Sequence, residues 1–556
     1  MKIYKLYLSV FCMAAISLLM SSCEDFLKED PKSTRPYDEF WQSKADVESA
    51  VNGLYLVGVP KLYDTDVDGD WTPTAPMWGG IMSGLFVDKR KDRTFTSASE
   101  NCNFNIASFD GIALKLWREL YKGVSQANFV IAGVDKVYND TVLNKDNKIL
   151  TEKERDNFIA QAKFFRAYNY FHLVKEFNYV PYVDKPYTTA DNSMYKLQSN
   201  PSEVYEKIEA DLLDAIAVLP EKAFYGYGYA TKAMARTVLA QAYLQWAGNP
   251  VNNATKYTLA AAQADSVISV AEKSGIYGLE PKGEGLNSAF NVIKTSKTSK
   301  EIIYAKEYDH TDRNYNMGHN YAFRSIETEA YQWGIFPSHK DVLYNAYLPD
   351  SLLLNSYDTS DIRGQEKQFF FSTYVHNQKD TFSLNNAGNW LWFDEDALLG
   401  GRPSNNNLPI IRYSEVLLIA AEGHLLSKEQ KTTNKTREYL NKVRNRAGLD
   451  SIQESVSSTD TLRALILTER FHEFPLEFKI WDDIRRTRLY PQATGVKGTL
   501  DWKPLSEAFI PNKPEGKSKQ GALGDWENHM LLLPIPGKEM DAYPKGTKLV
   551  QNPGWN

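Results

Sequence analysis

Beyond its N-terminus the chain has no apolar run approaching the roughly 18–20 residues that a membrane span needs, so nothing later in it is expected to cross a bilayer. It also lacks an excess of charge of either sign: 64 Lys and Arg stand against 70 Asp and Glu, a net charge of -6, with no basic stripe. The electrostatic footprint of a nucleic-acid binder is therefore missing. Histidine is scarce, and its eight copies are scattered without a His-x-His pair or a Cys/His cluster at ligand spacing, which argues against an encoded zinc site. The GxxxxGK[ST] loop of nucleotide phosphate sites and the GxSxG elbow of serine hydrolases are both absent.

Cysteine is also rare, and its placement is informative. Lys2 and Lys5 precede an apolar run from Leu6 to Met20, so residues 1–22 read as a secretory signal, too short and wrongly flanked for a spanning helix. The sequence Leu19-Met20-Ser21-Ser22-Cys23 resembles the lipobox of bacterial lipoproteins, which implies that Cys23 receives lipid and becomes the new N-terminus. Glu24-Asp25 and Glu29-Asp30 would then form a solvated leash beside the lipid. Cys12 leaves with the signal, and acylation of Cys23 strands Cys102. No disulfide is expected within the mature chain, although the compartment permits one. Cys102 is read as a small buried hydrophobe, not a nucleophile.

What the chain has in abundance is helical pattern and aromatic residues. Its 556 residues could make roughly three or four average domains or one large superhelical unit. Thr151 followed by Glu154 forms a capping-box signature ahead of a helix over 152–176. There Phe158, Ala162, Phe165 and Tyr168 mark one apolar face, and Phe164, Ala167, Phe171 and Val174 a second, so the helix must lie between neighbours. A second such helix spans 230–246, and further helical patterns run over 201–219, 254–273, 412–426, 433–447 and 460–473. Small and large residues alternate on these helices as in tetratricopeptide arrays, but no strict period of roughly 34 residues survives. The expected fold is mainly α: an irregular tetratricopeptide-like helical array with long loops and a few short strands. Between about 276 and 408 the pattern dissolves, with only brief strand-like runs such as Ile302-Ile303-Tyr304. Loops on a rigid scaffold are where a site is usually carried.

Several constellations look chemical and fall short. His472-Glu473 starts like a metalloprotease HExxH, but position 476 is Leu. Glu469, Asp482 and Asp483 could be imagined as the paired carboxylates of a glycosidase, which sit roughly 5–10 Å apart across a sugar. Arg470, Arg485 and Arg486 interleave with them and would depress a carboxyl pKa where a general acid needs it raised, so ion pairs that fix helix packing are the expectation. In DTDVDGDWTPTAPMW, Asp64, Asp66, Asp68 and Asp70 match the start of a calcium loop. Ala75 occupies the position of the bidentate glutamate, and Pro73 and Pro76 forbid the exiting helix, so an EF-hand is excluded. Two readings stay open for these aspartates: a looser structural calcium site, or a solvated acidic turn.

The ordered set FWQSKADVESAVNGLY (40–55), QAKFFRAYNYFHLVKEFNYVPYV (161–183), YSEVLLIAAE (413–422), LNKVRNRAGL (440–449), LTERFHEFPLEFKIWDDIRR (467–486), LLLPIPGKEM (531–540) and the ending QNPGW resembles the SusD/RagB family of outer-membrane lipoproteins over nearly the whole chain. The resemblance implies a signal at 1–22, a helical region over 23–275, and a region over 276–556 that carries a loop-rich ligand face and packs with the first as one unit. It implies a lipid-anchored, outward-facing outer-membrane protein. Such a protein binds oligo- or polysaccharide and passes it to a SusC-like TonB-dependent transporter. Some relatives handle peptides instead.

Within that frame the aromatic surplus, 33 Tyr and 12 Trp, suggests rings on the surface that stack on sugars. Trp71 and Trp78 lie in a proline-rich loop, with Asp66 and Asp68 as neighbouring acceptors for hydroxyls. Tyr331 and Trp333 are the next aromatic candidates. The single face that these residues share is implied by the family architecture. Trp390 and Trp392 in NWLWF alternate as on a strand with both indoles on one face, where packing is the expected role. No catalytic pair emerges, so a non-enzymatic binder is expected. A surface carbohydrate-active enzyme would need turnover lost with one carboxylate, and a scaffold would be indifferent to loss of the loop tryptophans.

Overall fold

The computed structural model describes residues 37–63, 79–80, 82–87, 106–145, 147–187, 194–222, 228–308, 325–336, 347–400, 404–429, 431–510, 531–544 and 546–555. The signal segment, Cys23, Cys102, Asp64, Asp66, Asp68, Asp70, Trp71 and Trp78 lie outside these residues.

Helices dominate. After α1 (Lys44–Gly53) come α2 (Ile106–Asn139), α3 (Glu152–Phe177), α4 (Pro201–Val218), α5 (Lys232–Ala247) and α6 (Lys256–Ser274). The second half adds α7 (Tyr413–Leu426), α8 (Thr433–Arg446), α9 (Thr459–Glu473) and α10 (Ile480–Thr487). From α2 to α8 each helix packs on the next, and α9 closes on α7 and α8. That serial stacking of antiparallel helices is the irregular tetratricopeptide-like array expected from the sequence.

Local chemistry sets the ends of these helices. The Thr151 hydroxyl accepts from the Glu154 N–H, and the Glu154 carboxylate accepts from the Thr151 N–H at 2.9 Å, a complete capping box on α3. Thr231, Asn200, Thr432 and Ser458 cap α5, α4, α8 and α9 in the same way with one side-chain acceptor each. Gly275 ends α6 in the left-handed region. Along α3, both apolar faces are filled: Ala162, Phe164, Phe165, Ala167, Tyr168, Phe171 and Val174 are all buried.

Gly275 is also where the array is interrupted. The chain leaves after α6 and returns at α7, which packs directly against α6, so residues 276–412 form an excursion between two neighbouring helices. The return is made by an antiparallel pair of strands, β1 (Ile302–Lys306) and β4 (Leu408–Arg412). Between them stands a hairpin of β2 (Phe370–His376) and β3 (Asp380–Asn389). All sheets among the described residues are two-stranded.

One hydrophobic core takes residues from Trp41 to Trp555, and a smaller one forms under the hairpin. The ending QNPGW is stapled to α3: the Asn552 amide donates to Phe177 O and Leu533 O at 3.0 and 2.7 Å, and the Trp555 indole donates to Leu532 O.

Candidate functional site

Tyr331 and Trp333 belong to the excursion and are placed by a single buried carboxylate. Glu327 accepts from the backbone N–H of Asn385 at 2.7 Å and of Asn386 at 3.0 Å, and from the Asn386 side-chain amide. This ties the segment 325–336 to β3. A short 3-10 helix, Thr328–Trp333, follows and ends at Gly334 with φ +72°, a backbone position suited to glycine.

The hairpin supplies the bed for Trp333. Tyr374 and Phe382 are direct cross-strand partners, so their rings project from one face of the pair. The Trp333 ring lies 4.8 Å from Phe382 and 5.9 Å from Tyr374, nearly parallel to both. Those two rings are themselves only 6.4 Å apart. Rings stacked on opposite faces of an indole would stand roughly 7 Å or more apart, at van der Waals contact on each side. Both therefore cover the same face of Trp333, and the opposite face is not covered by them. Trp333 and Tyr331 are each half-buried on the smaller core. Tyr374 donates its hydroxyl to Glu395 at 2.6 Å; burial and that carboxylate hold the phenol protonated far above its ordinary range. Sequence reasoning missed Tyr374 and Phe382. The signals were Asn377 at the turn, where Asn377 and Gln378 both take positive φ, and the alternation of half-buried Phe382 and Leu384 with exposed neighbours on β3.

The strand expected over NWLWF is not there. β3 ends at Asn389, and Trp390–Trp392 form a 3-10 turn, so residues two apart point in different directions. Trp392 enters the main core against Tyr347, whereas Trp390 packs on Phe371 and Phe393 of the smaller core. The Trp390 indole donates to Asn291 at 2.7 Å, and the buried Lys294 ammonium sits 3.9 Å from its ring centre. Burial lowers the Lys294 pKa to about 7.

The carboxylates weighed for catalysis stand in ion pairs, as their interleaved arginines suggested, with Asp482 half-buried; at Glu469, however, burial outweighs the arginines and raises the carboxyl pKa above its ordinary value, against the expected depression. Arg470 binds Asp483 at 2.7 Å; Arg486 bridges Asp483 and Glu422; Arg485 joins Glu176 of α3 to Asp482. Glu469 and Glu473 both accept from Arg363, and Glu473 also binds Arg412 and Arg446. His472 is buried against the Tyr357 ring, shares a hydrogen bond with Ser356 Oγ, and is held neutral by burial, its pKa lowered to about 3. A cavity of about 90 Å³ inside the array is lined by the pairs Lys175–Asp482 and Lys479–Glu415, polar and roomy enough for water. Among the described residues no group of three or more His, Cys, Asp or Glu could hold a metal ion.

The comparisons with known proteins follow this architecture. A family model described as "SusD family" matches residues 392–555, and one described as "Starch-binding associating with outer membrane" matches residues 25–244. SusD-like protein P2 of Formosa agariphila is 27% identical over 584 aligned positions, covering 100% of both chains. Among solved structures, a SusD superfamily protein from Parabacteroides distasonis superposes with a TM-score of 0.71 at 20% identity, over 92% of this chain and 99% of that one. Surface glycan-binding protein A from Bacteroides thetaiotaomicron, in complex with laminarihexaose, does so with a TM-score of 0.66 at 22% identity, over 92% and 99%. The helical array is the fold shared with these solved structures. The chain belongs to the SusD/RagB family.

Proposed function

We propose that this protein is a cell-surface lipoprotein that binds oligo- or polysaccharide and delivers it to a SusC-like TonB-dependent transporter, without cleaving it. The observation that carries the reading is that residues 25–244 match a family model described as starch-binding, while the fold superposes over 92% of the chain on a glycan-binding protein in complex with laminarihexaose. The platform at Trp333 and Tyr331 supports it: both are half-buried, and a Trp333 ring held by Phe382, Tyr374 and Phe336 can stack its exposed part on the C–H face of a sugar at little cost in conformational entropy. Trp71, Trp78, Asp66 and Asp68 are proposed to complete the ligand face. Absence of catalysis is supported by the ion-paired state of the candidate carboxylates, with Asp483 held by Arg470 and Glu469 by Arg363. Lipid on Cys23 would hold the protein at the outer membrane, and the regions 23–275 and 276–556 would act there as one unit.

The reading is tested by native gels cast with single polysaccharides. The protein is expected to be retarded by at least one of them, and Trp333→Ala to migrate closer to its position in a gel without glycan. Equal migration of both proteins in every gel would speak against the platform.

A further inference from the structure

A second cleft, of about 530 Å³, opens on a part of the molecule that the reading above does not use. One wall is the short helix Ser351–Ser356; the other is the tip of a hairpin formed by strands Leu489–Ala493 and Leu500–Pro504. The walls are fixed to each other, because the Gly498 N–H donates to Ser356 O at 2.8 Å. Gly498 has φ +80°, and a Cβ there would stand 2.9 Å from Asp358 Cβ, so only glycine allows the approach. The tip is internally braced by the Thr494 and Thr499 hydroxyls, 2.5 Å apart. The volume falls within the roughly 300–1,000 Å³ of small-ligand sites.

Two apolar side chains line this cleft and are held out to solvent. Phe509 is 46% exposed and Val496 65%. Phe509 is not loose: its N–H donates to Gln492 Oε1 at 3.0 Å and its carbonyl accepts from Gln492 Nε2 at 2.7 Å. These two bonds fix the backbone from which the exposed ring projects, so the position of the contact is set in advance. The remaining lining selects the ligand class. Asp350 and Lys497 offset each other in charge, which favours neither a strongly anionic nor a strongly cationic ligand. Asn355 and the threonines supply neutral hydrogen-bonding groups beside the apolar ones. A neutral molecule with one apolar face and a rim of hydroxyls meets both requirements.

We infer that this cleft is a second carbohydrate subsite, taking a pyranose segment against Phe509 and Val496 with Asn355 at its hydroxyls. The inference rests on the proposed glycan-binding function, and the test separates the two. Maltohexaose, laminarihexaose and xylohexaose are titrated into wild type, Phe509→Ala, Asn355→Ala and Trp333→Ala by calorimetry. Phe509→Ala removes an exposed side chain and is expected to keep the wild-type melting temperature. For a hexaose that wild type binds, Phe509→Ala is expected to weaken binding three- to tenfold, about what one lost ring contact gives. Asn355→Ala should follow in the same direction. Wild-type affinity in both cleft variants, with loss only in Trp333→Ala, overturns the subsite and keeps the platform. Loss only in the cleft variants supports the subsite and removes Trp333 from the account. Absence of binding to all three hexaoses by wild type, including the case where peptides bind instead, overturns the subsite.

Discussion

Glu477 carries a charge problem that a single proton solves. Around it Arg363, Arg412, Arg444 and Arg446 face Asp361, Glu301, Glu469, Glu473 and Glu477, four cations against five carboxylates in a buried cluster. Burial pushes Glu473 up, but Arg446, Arg412 and Arg363 outweigh it and bring its pKa down to about 2. Glu477 is bound by Arg412 at 2.7 Å and feels Lys479 more weakly, and burial outweighs both: its pKa is pushed from 4.5 up to about 7. A carboxyl whose folded pKa is raised contributes stability that is full below its unfolded pKa and is lost as pH rises through the folded value. Glu477→Gln retains an acceptor for Arg412 and removes the titration. Wild type is therefore expected to lose roughly 2–3 kcal/mol relative to this variant between pH 4.5 and pH 8. Urea unfolding at both pH values measures the difference, and a gap that does not change with pH would contradict the assignment. Of this cluster only Glu469 and Glu473 were read from sequence as packing residues, alongside the interleaved Arg470, Arg485 and Arg486 of the neighbouring pairs. The proton was not, because Asp361, Glu301 and Arg412 come from distant stretches of chain.

Among elements, α3 is the one whose beginning is best specified. Its capping box satisfies two backbone donors reciprocally, and Glu154 also reaches Lys44 of α1 at 2.5 Å. Thr151→Ala is expected to lower unfolding free energy by about 1 kcal/mol with little change in helix content. Chemical denaturation followed by circular dichroism checks this; an unchanged midpoint would mean that the cap is dispensable. Such ends are local chemistry, which is why α3, α4, α5, α8 and α9 were legible within a few residues, whereas α6 and α7, which start without a side-chain cap, were legible from their apolar periodicity. The longest helix, α2, was not read. Gly123 and Gly133 interrupt its pattern, and each costs helix propensity. Packing makes the difference: a Cβ at Gly133 would stand 2.0 Å from the Trp41 ring, and one at Gly123 would stand 2.4 Å from the Asn169 amide. The glycines admit partners that no local window contains. The β2–β3 hairpin escaped for a related reason, since its bulge is held by Glu366, whose carboxylate accepts from the N–H groups of Ser372 and Thr373.

On the scale of the whole molecule, the array is a frame from which the excursion over residues 276–412 projects between two helices that still touch. Tyr331 and Trp333 were legible as candidates from their composition and setting, while the ring bed that orients Trp333 required the hairpin pairing. The central claim is that this frame presents aromatic faces to a glycan and does no chemistry on it. Isothermal titration of the chain starting after Cys23, against starch, laminarin, xylan and mannan and their oligosaccharides, tests it most directly when each mixture is afterwards assayed for new reducing ends. The account predicts saturable heat with at least one glycan class and no increase in reducing ends. Silence across the panel, or reducing ends accumulating with time, would contradict it.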